Sequence, residues 1–180
     1  MPVFSSKLKS WKMSTADIIL LFTAIVSGLI AGLLYSYACS VNLGLGKLPD
    51  KEYLGAMQSI NKEIVNPIFL LSFLGTMILL PVISFMNYTV PVSGRFQYLL
   101  FATIVYAIGV LGITFFGNIP LNNSLATFNL DSSSISELAK FRSHFESPWN
   151  RLHFIRTVAS VLSFILVILA CLNRPGLNDK

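Results

Sequence analysis

Charged and metal-binding side chains are scarce in this chain of 180 residues. Only 12% of the residues are charged, against about 25% in an ordinary soluble domain, and there are two cysteines and two histidines. No CxxC or HExxH motif occurs, and His144 and His153 do not stand at a metal-ligand spacing. The basic residues do not form a patch interleaved with aromatic side chains. We therefore expect no metal site, no bound cofactor and no nucleic-acid partner.

Acidic residues are missing from four long apolar runs, which cover residues 18–39, 68–86, 98–116 and 152–172. Each run is close to the about 20 residues that cross the hydrocarbon core of a bilayer. The first is too long for a signal-peptide core of about 7 to 15 residues, so we treat it as a span. The sequence predicts an all-α integral membrane protein, a four-transmembrane-helix bundle forming a single domain over residues 1–180. Without a carboxylate inside any span, a carboxylate proton relay is not expected.

Four spans place both chain ends and the short connection 87–97 on one side of the bilayer. The two long connections, 40–67 and 117–151, then lie on the other side. Lysine and arginine are nearly balanced between the two sides, but the flanks next to the chain ends are the more densely basic. The positive-inside rule thus favours cytoplasmic termini in a multi-pass plasma-membrane protein. The basic residues on that side are Lys7, Lys9, Lys12, Arg95, Arg174 and Lys180.

Each long connection carries the pattern of a short amphipathic helix lying on the bilayer or on the bundle. In the first connection, the apolar stripe consists of Tyr53, Met57, Ile60 and Ile64. In the second, a capping box precedes a stripe of three apolar residues. That box is formed by Ser134 and Glu137, and the stripe by Leu138, Phe141 and Phe145.

The fourth membrane helix is predicted to begin at Ser147 and Pro148, because serine caps a helix and proline suits its first turn. Trp149, His153 and Arg156 follow at i, i+4 and i+7 and so share one face. An arginine facing lipid at the bilayer centre costs about 2.5 to 3.5 kcal/mol. Arg156 therefore either faces protein or water, or extends its stem to the interface. His153 on the same face favours a polar pocket.

Asparagines are concentrated on the side of the long connections. Several have local explanations: Gly117 and Asn118 suggest a helix C-cap, and Pro120 suggests a turn that Asn122 stabilises. Even so, amides from several connections meet two tyrosines and the Trp149 face at one end of the bundle. A few polar groups around an apolar pocket are typical of a small-molecule site. The candidate binding residues are Tyr35, Asn61, Asn118, Asn122, Trp149 and Asn150.

Three segments resemble the anthrone oxygenase-like membrane proteins. They are AMQSINKEIVNPIF at 56–69, FGNIPLNNSL at 116–125 and WNRLHFIRTVAS at 149–160, and they span nearly the whole chain in the family's order. The resemblance implies an oxygenase without a cofactor that oxidises an anthrone to a quinone with dioxygen. In that chemistry His153 is the base, and Arg156 with Asn118 or Asn122 holds the oxyanion. Trp149 and Tyr35 enclose the flat ring system.

A different class of function fits the same residues. In a non-catalytic four-span protein that binds a lipid, a quinone or a protein partner, Arg156 would hold the turn at 118–123 in place and His153 would bond a carbonyl. A transporter or channel is less favoured, because the spans show neither a broken helix at the membrane centre nor a polar lining along several helices.

Overall fold

A computed structural model of the chain describes residues 13–173, which form an arrangement of helices. Its helices are α1 (Thr15–Leu45), α2 (Asp50–Glu63), α3 (Pro67–Met86), α4 (Gly94–Thr127) and α5 (Ile135–Leu172). All except α2 are long and apolar enough to cross a membrane, so the predicted four-helix membrane protein is confirmed. The terminal basic residues that favoured cytoplasmic termini, Arg95 excepted, lie outside the described residues.

Each membrane helix begins at a side chain that caps its first turn. Ser14, Asn66, Ser93 and Ser134 each accept a hydrogen bond from the backbone amide three residues later. The first amides of a helix have no partner within the helix, so a side-chain oxygen at this position fixes where the helix starts. The predicted capping box at Ser134 is present, as is another at Ser14.

The four membrane helices pack in a ring in which α1 contacts α3 and α5, and α4 contacts the same two helices. One apolar core lies between them, with Leu20, Leu80, Leu99 and Val167 at its centre. At the chain-terminal end, Arg95 Nη2 donates to Asp17 Oδ1 at 2.8 Å, and Arg95 Nε donates to the Ala170 carbonyl at 3.1 Å. This buried ion pair joins α4, α1 and α5.

A second apolar cluster lies at the opposite end, where α2 packs on the bundle. Tyr53, Leu54 and Met57 of α2 are buried against Leu125 of α4 and Phe145 of α5. The two clusters are separated along the bundle, and the candidate site lies between them.

The fourth membrane helix does not begin at Ser147. It runs without a break from Ile135 to Leu172, so the second predicted short helix is the first part of α5 and Pro148 lies inside it. Proline removes one backbone hydrogen bond, but Leu138 and Phe145 before Pro148 and Trp149 after it are buried in the apolar cluster with α2 and hold the helix there. Two separate short helices are therefore not seen.

The predicted C-cap at Asn118 and turn at Pro120 are also wrong, because α4 continues to Thr127. The helix is widened to π-helical turns at Tyr106–Gly112 and Thr114–Asn118. Pro120 lies two residues after the end of the second of these, in the first turn of the resumed α-helix. A missing amide hydrogen costs least at that position, so the proline does not end the helix.

Candidate functional site

A cavity of about 360 Å³ lies within the bundle beneath α2. Most of its lining is apolar and comes from α1, α3 and α4. None of the residues that line it is acidic. The polar groups around it are contributed by Tyr37, Asn61, Thr114, Asn122, Trp149, His153 and Arg156. Five of the eight residues predicted from sequence thus meet at one cavity, namely Asn61, Asn122, Trp149, His153 and Arg156.

His153 is held by a hydrogen bond at each ring nitrogen. Its Nε2 lies 3.2 Å from the Leu34 carbonyl oxygen, which can only accept, so Nε2 carries a proton and donates. Arg156 Nε and Nη2 lie 3.2 and 3.0 Å from His153 Nδ1, which must therefore accept. A neutral imidazole protonated at Nε2 satisfies both contacts. The lone pair of Nδ1 faces the guanidinium.

Arg156 has no carboxylate partner anywhere in residues 13–173. Besides His153, it donates from Nη1 to Thr114 Oγ1 at 3.4 Å, and its guanidinium carbon lies 5.5 Å from the ring centre of Trp149. A cation that is shielded from water usually has a neutralising partner. Here the neighbours are neutral acceptors and an aromatic face, which leaves the positive charge available to an anionic ligand.

Two asparagines of α4 hold Trp149, one at its indole and one at its backbone carbonyl. Trp149 Nε1 donates to Asn122 Oδ1 at 2.7 Å, and Asn118 Nδ2 donates to the Trp149 carbonyl at 3.3 Å. The indole stacks on the His153 ring at 5.0 Å with an interplanar angle of 9°. The two nearly parallel rings therefore form a stack beside the guanidinium.

Within the part of the chain that the structure describes, three amides have a buried polar atom without a hydrogen-bond partner: Asn61 Nδ2, Asn118 Oδ1 and Asn150 Oδ1. Of these residues only Asn61 lines the cavity. Leaving a buried donor unpaired costs about 1 to 3 kcal/mol, so Asn61 Nδ2 is ready to bind a ligand oxygen. Asn118 and Asn150 lie behind the cavity wall.

Tyr35 does not lie at this cavity. It is 59% exposed and borders a separate groove on the outer face of α1 and α5. Tyr37 takes the expected place instead, with its ring edge-on to His153 at 5.0 Å. Successive helical residues differ by about 100°, so Tyr37, three residues after the buried Leu34, shares its face, whereas Tyr35 turns away. That spacing was readable in the sequence.

Thr114 was also not predicted as a site residue. It lies four residues before Asn118 on α4, is buried, and donates to the Val110 carbonyl at 2.7 Å while it accepts from Arg156. The only sequence signal for Thr114 is that it is a small polar residue within an apolar span, on the same helix face as Asn118.

α2 covers the cavity on the side of the long connections, where Ile60, Asn61 and Ile64 line it. Gln58 Nε2 holds the middle of α2 by donating to the carbonyls of Leu125 and Phe128, at 2.8 and 3.0 Å. The cover is therefore tied to the end of α4.

Arg142 of α5 fastens the connection that leads into α2. Its guanidinium donates to the carbonyls of Gly46 and Leu48 and to the carboxylates of Asp50 and Glu146, at 2.7 to 3.0 Å. It also lies 4.3 Å from the ring centre of Tyr53. Burial raises the pKa of the Tyr53 phenol, so the ring beneath the guanidinium stays neutral.

Comparison with known proteins identifies the family. The family described as anthrone oxygenase matches residues 69–166, which is more than half of the chain. The match includes Asn122, Trp149, His153 and Arg156, while Tyr37 and Asn61 precede it. No curated protein and no solved structure matches the chain. On the strength of the family match, the chain belongs to the anthrone oxygenase family.

Proposed function

We propose that this membrane protein is an oxygenase that needs no cofactor and oxidises a fused-ring aromatic ketone of the anthrone type to a quinone with dioxygen. The observation that carries the proposal is Arg156, a guanidinium without a carboxylate partner in the described structure, held by His153 at the wall of an apolar cavity. The cavity volume of about 360 Å³ falls within the range of about 300 to 1,000 Å³ for small-molecule sites. We further propose that the site lies at the non-cytoplasmic leaflet of the plasma membrane, with both termini cytoplasmic.

The reaction balances without a redox group on the protein. Removing one proton from the ring methylene leaves a carbanion whose charge is shared with the ketone oxygen. One electron passes to dioxygen, and the resulting radical and superoxide combine to a peroxide at that carbon. Return of the proton and loss of one water convert the peroxide into the second carbonyl. One anthrone and one dioxygen thus yield one quinone and one water.

His153 and Arg156 act together in this proposal. The ketone oxygen of the bound ligand accepts from guanidinium N–H groups of Arg156, and it becomes a stronger acceptor than His153 Nδ1 as the methylene proton leaves and negative charge develops on it. The Nδ1 lone pair, released from the guanidinium, accepts that proton. Formation of the oxyanion and release of the base are therefore coupled. Asn61 Nδ2 supplies a second donor to the same ligand.

The aromatic walls orient the ligand. Trp149, fixed by Asn122, and Tyr37 pack on each other and on His153, with ring centres 5.0 to 5.5 Å apart, and present an aromatic wall to the ligand. Tyr37 replaces Tyr35 in this role, and Asn118 supports Trp149 from behind.

Oxygen uptake by the purified protein in lipid nanodiscs, with an anthrone such as emodin anthrone, tests the proposal. We expect consumption of one dioxygen per quinone formed, without added metal or flavin, and its loss in Arg156→Met. Arg151→Met is the matched control, because Arg151 is exposed on the same helix and does not line the cavity. Uptake at the spontaneous rate would rule out this substrate class.

Binding without turnover is the second candidate function. It is favoured by one observation, that both ring nitrogens of His153 are already engaged. In that case a quinone or lipid copurifies with the protein and is detected by absorbance and mass spectrometry. Arg156→Met would then lose the copurifying molecule, while no variant would change oxygen uptake.

A further inference from the structure

Part of the cavity wall is also outer surface of the membrane-spanning region. Leu70 and Leu74 of α3 and Phe115 of α4 line the cavity, yet they are 37%, 41% and 48% exposed. Leu74 lies seven residues after Pro67, about 10 Å along the helix axis at 1.5 Å per residue. At that depth an exposed apolar side chain faces acyl chains. We call the gap between these three residues the lateral opening.

The lateral opening results from the way α4 loses one of its two neighbours along its length. Its first part packs against both α3 and α5, and Tyr106 Oη donates to the Phe73 carbonyl at 2.8 Å. Beyond Tyr106 it continues to pack against α5 but moves away from α3. A Cβ on Gly109 would lie 2.5 Å from Ala159 Cβ, and one on Gly117 would lie 2.9 Å from Leu152 Cδ1. The glycines thus let α4 approach α5, and the helix leaves α3 behind.

α2 covers the side toward water. It is held by Gln58, and the connection before it is held by Arg142. Val65, in the connection between α2 and α3, also lines the cavity and is 65% exposed. A ligand coming from water would have to pass Val65 at the edge of α2, or displace α2 and break these hydrogen bonds. A ligand dissolved among acyl chains meets only the apolar side chains of the lateral opening.

We propose that the ligand enters and leaves the cavity from within the bilayer, between Leu70 and Leu74 of α3 and Phe115 of α4. The identity of the ligand as a fused-ring aromatic rests on the proposed function, whereas the route does not. Such a ligand partitions into acyl chains and passes the opening in the plane of the membrane. The charge of Arg156 lies inside the opening, so the polar oxygen of the ligand is bound only after the rings have left the lipid.

Quenching of Trp149 by lipids brominated in mid-chain tests the route without any turnover. In a Trp11→Phe background Trp149 is the only tryptophan. It is 3% exposed, so its emission is quenched only if acyl chains reach the cavity. We expect quenching in this parent and its loss in Leu70→Phe/Leu74→Phe, which fills the opening. The matched control is Leu71→Phe/Ile78→Phe, because both residues are exposed on α3 but do not line the cavity.

A second variant, which widens the opening, still tests the route if the variant that fills the opening misfolds. Phe115→Leu widens the opening and is expected to increase quenching, whereas Phe116→Leu, at a residue that is 90% exposed and not part of the lining, is not. An unquenched parent, or equal quenching in opening and control variants, would overturn the route. Should the quenching pattern hold while no quinone forms, the route stands and the proposed chemistry fails. Where turnover is seen, filling the opening lowers kcat/KM, because substrate entry is slowed.

Discussion

Two guanidinium nitrogens of Arg156 donate to one acceptor, the imidazole Nδ1 of His153, at 3.2 and 3.0 Å. The two residues stand at i and i+3 on α5, so the helix itself sets the spacing. A neutral nitrogen is a weaker acceptor for a guanidinium than an anionic oxygen. The pair is therefore arranged to exchange partners when an anion arrives, and its substitutions give the sharpest predictions.

Replacing Arg156 by lysine should reduce kcat by about 100-fold, the lower end of the loss for a removed oxyanion donor. An ammonium keeps the charge but cannot donate to His153 and Thr114 with a fixed fork of N–H groups. Steady-state oxygen uptake measures kcat, and Arg151→Lys serves as the control on the same helix. A marked fall in Tm with unchanged kcat would instead assign Arg156 a structural role.

Asn122→Ala should both destabilise the protein and weaken ligand binding. The change removes the acceptor of the buried Trp149 Nε1, which costs about 1 to 3 kcal/mol, and lets the indole leave its position beside His153. We expect a lower Tm and a raised KM. Asn123→Ala, at the exposed neighbouring residue, should change neither. Equal Tm values for the two variants would contradict the importance of this hydrogen bond.

The ion pair at the other end of the bundle should contribute to stability and not to catalysis. Asp17→Asn leaves the Arg95 guanidinium buried without its counter-charge, at a cost of about 3 kcal/mol, the lower end for a buried pair. Thermal unfolding in detergent should show a clear fall in Tm, with kcat unchanged. Lys51→Met removes the exposed pair with Asp131 and should leave Tm nearly unaltered. Loss of activity in folded Asp17→Asn would argue against two independent ends.

Gly109→Ala should destabilise the bundle, although alanine favours helix by about 0.5 to 1 kcal/mol over glycine. The added Cβ would lie 2.5 Å from Ala159 Cβ, and relieving such a clash by moving α4 costs about 1 to 3 kcal/mol. Gly75→Ala is the matched control, since nothing lies within 4 Å of its Cβ, and it should raise Tm slightly. A Tm for Gly109→Ala at or above that of the control would show that α4 and α5 do not approach as closely as described.

The placement of the site residues at one end of the bundle could be predicted, because it depends on the number of membrane spans. Four spans bring Asn122 of α4 to the same end of the bundle as Trp149, His153 and Arg156 of α5, and the structure places all four at one cavity. The shared face of the last three residues depends only on helical spacing, which holds wherever the helix starts. An error in the start of α5 therefore did not affect it.

The wrong predictions of helix ends arose where a proline, or a glycine beside a polar residue, suggested a boundary. Pro148 and Pro120 suggest boundaries when only local preferences are considered, yet packing on both sides keeps α5 and α4 helical through them. The π-turn at Thr114–Asn118 shifts the helical register just before Pro120, and no local sequence pattern announces such a turn. Tertiary contacts decided these positions, so propensity alone could not.

The guanidinium of Arg156, which has no counter-charge among residues 13–173, has an electrical consequence for the cavity. In surroundings of low dielectric constant, a fixed positive charge acts over several ångströms with little screening. A superoxide ion is therefore held more firmly than dioxygen, and dioxygen becomes easier to reduce. A single side chain would thereby favour one-electron reduction of oxygen at this position, with no redox-active group on the polypeptide.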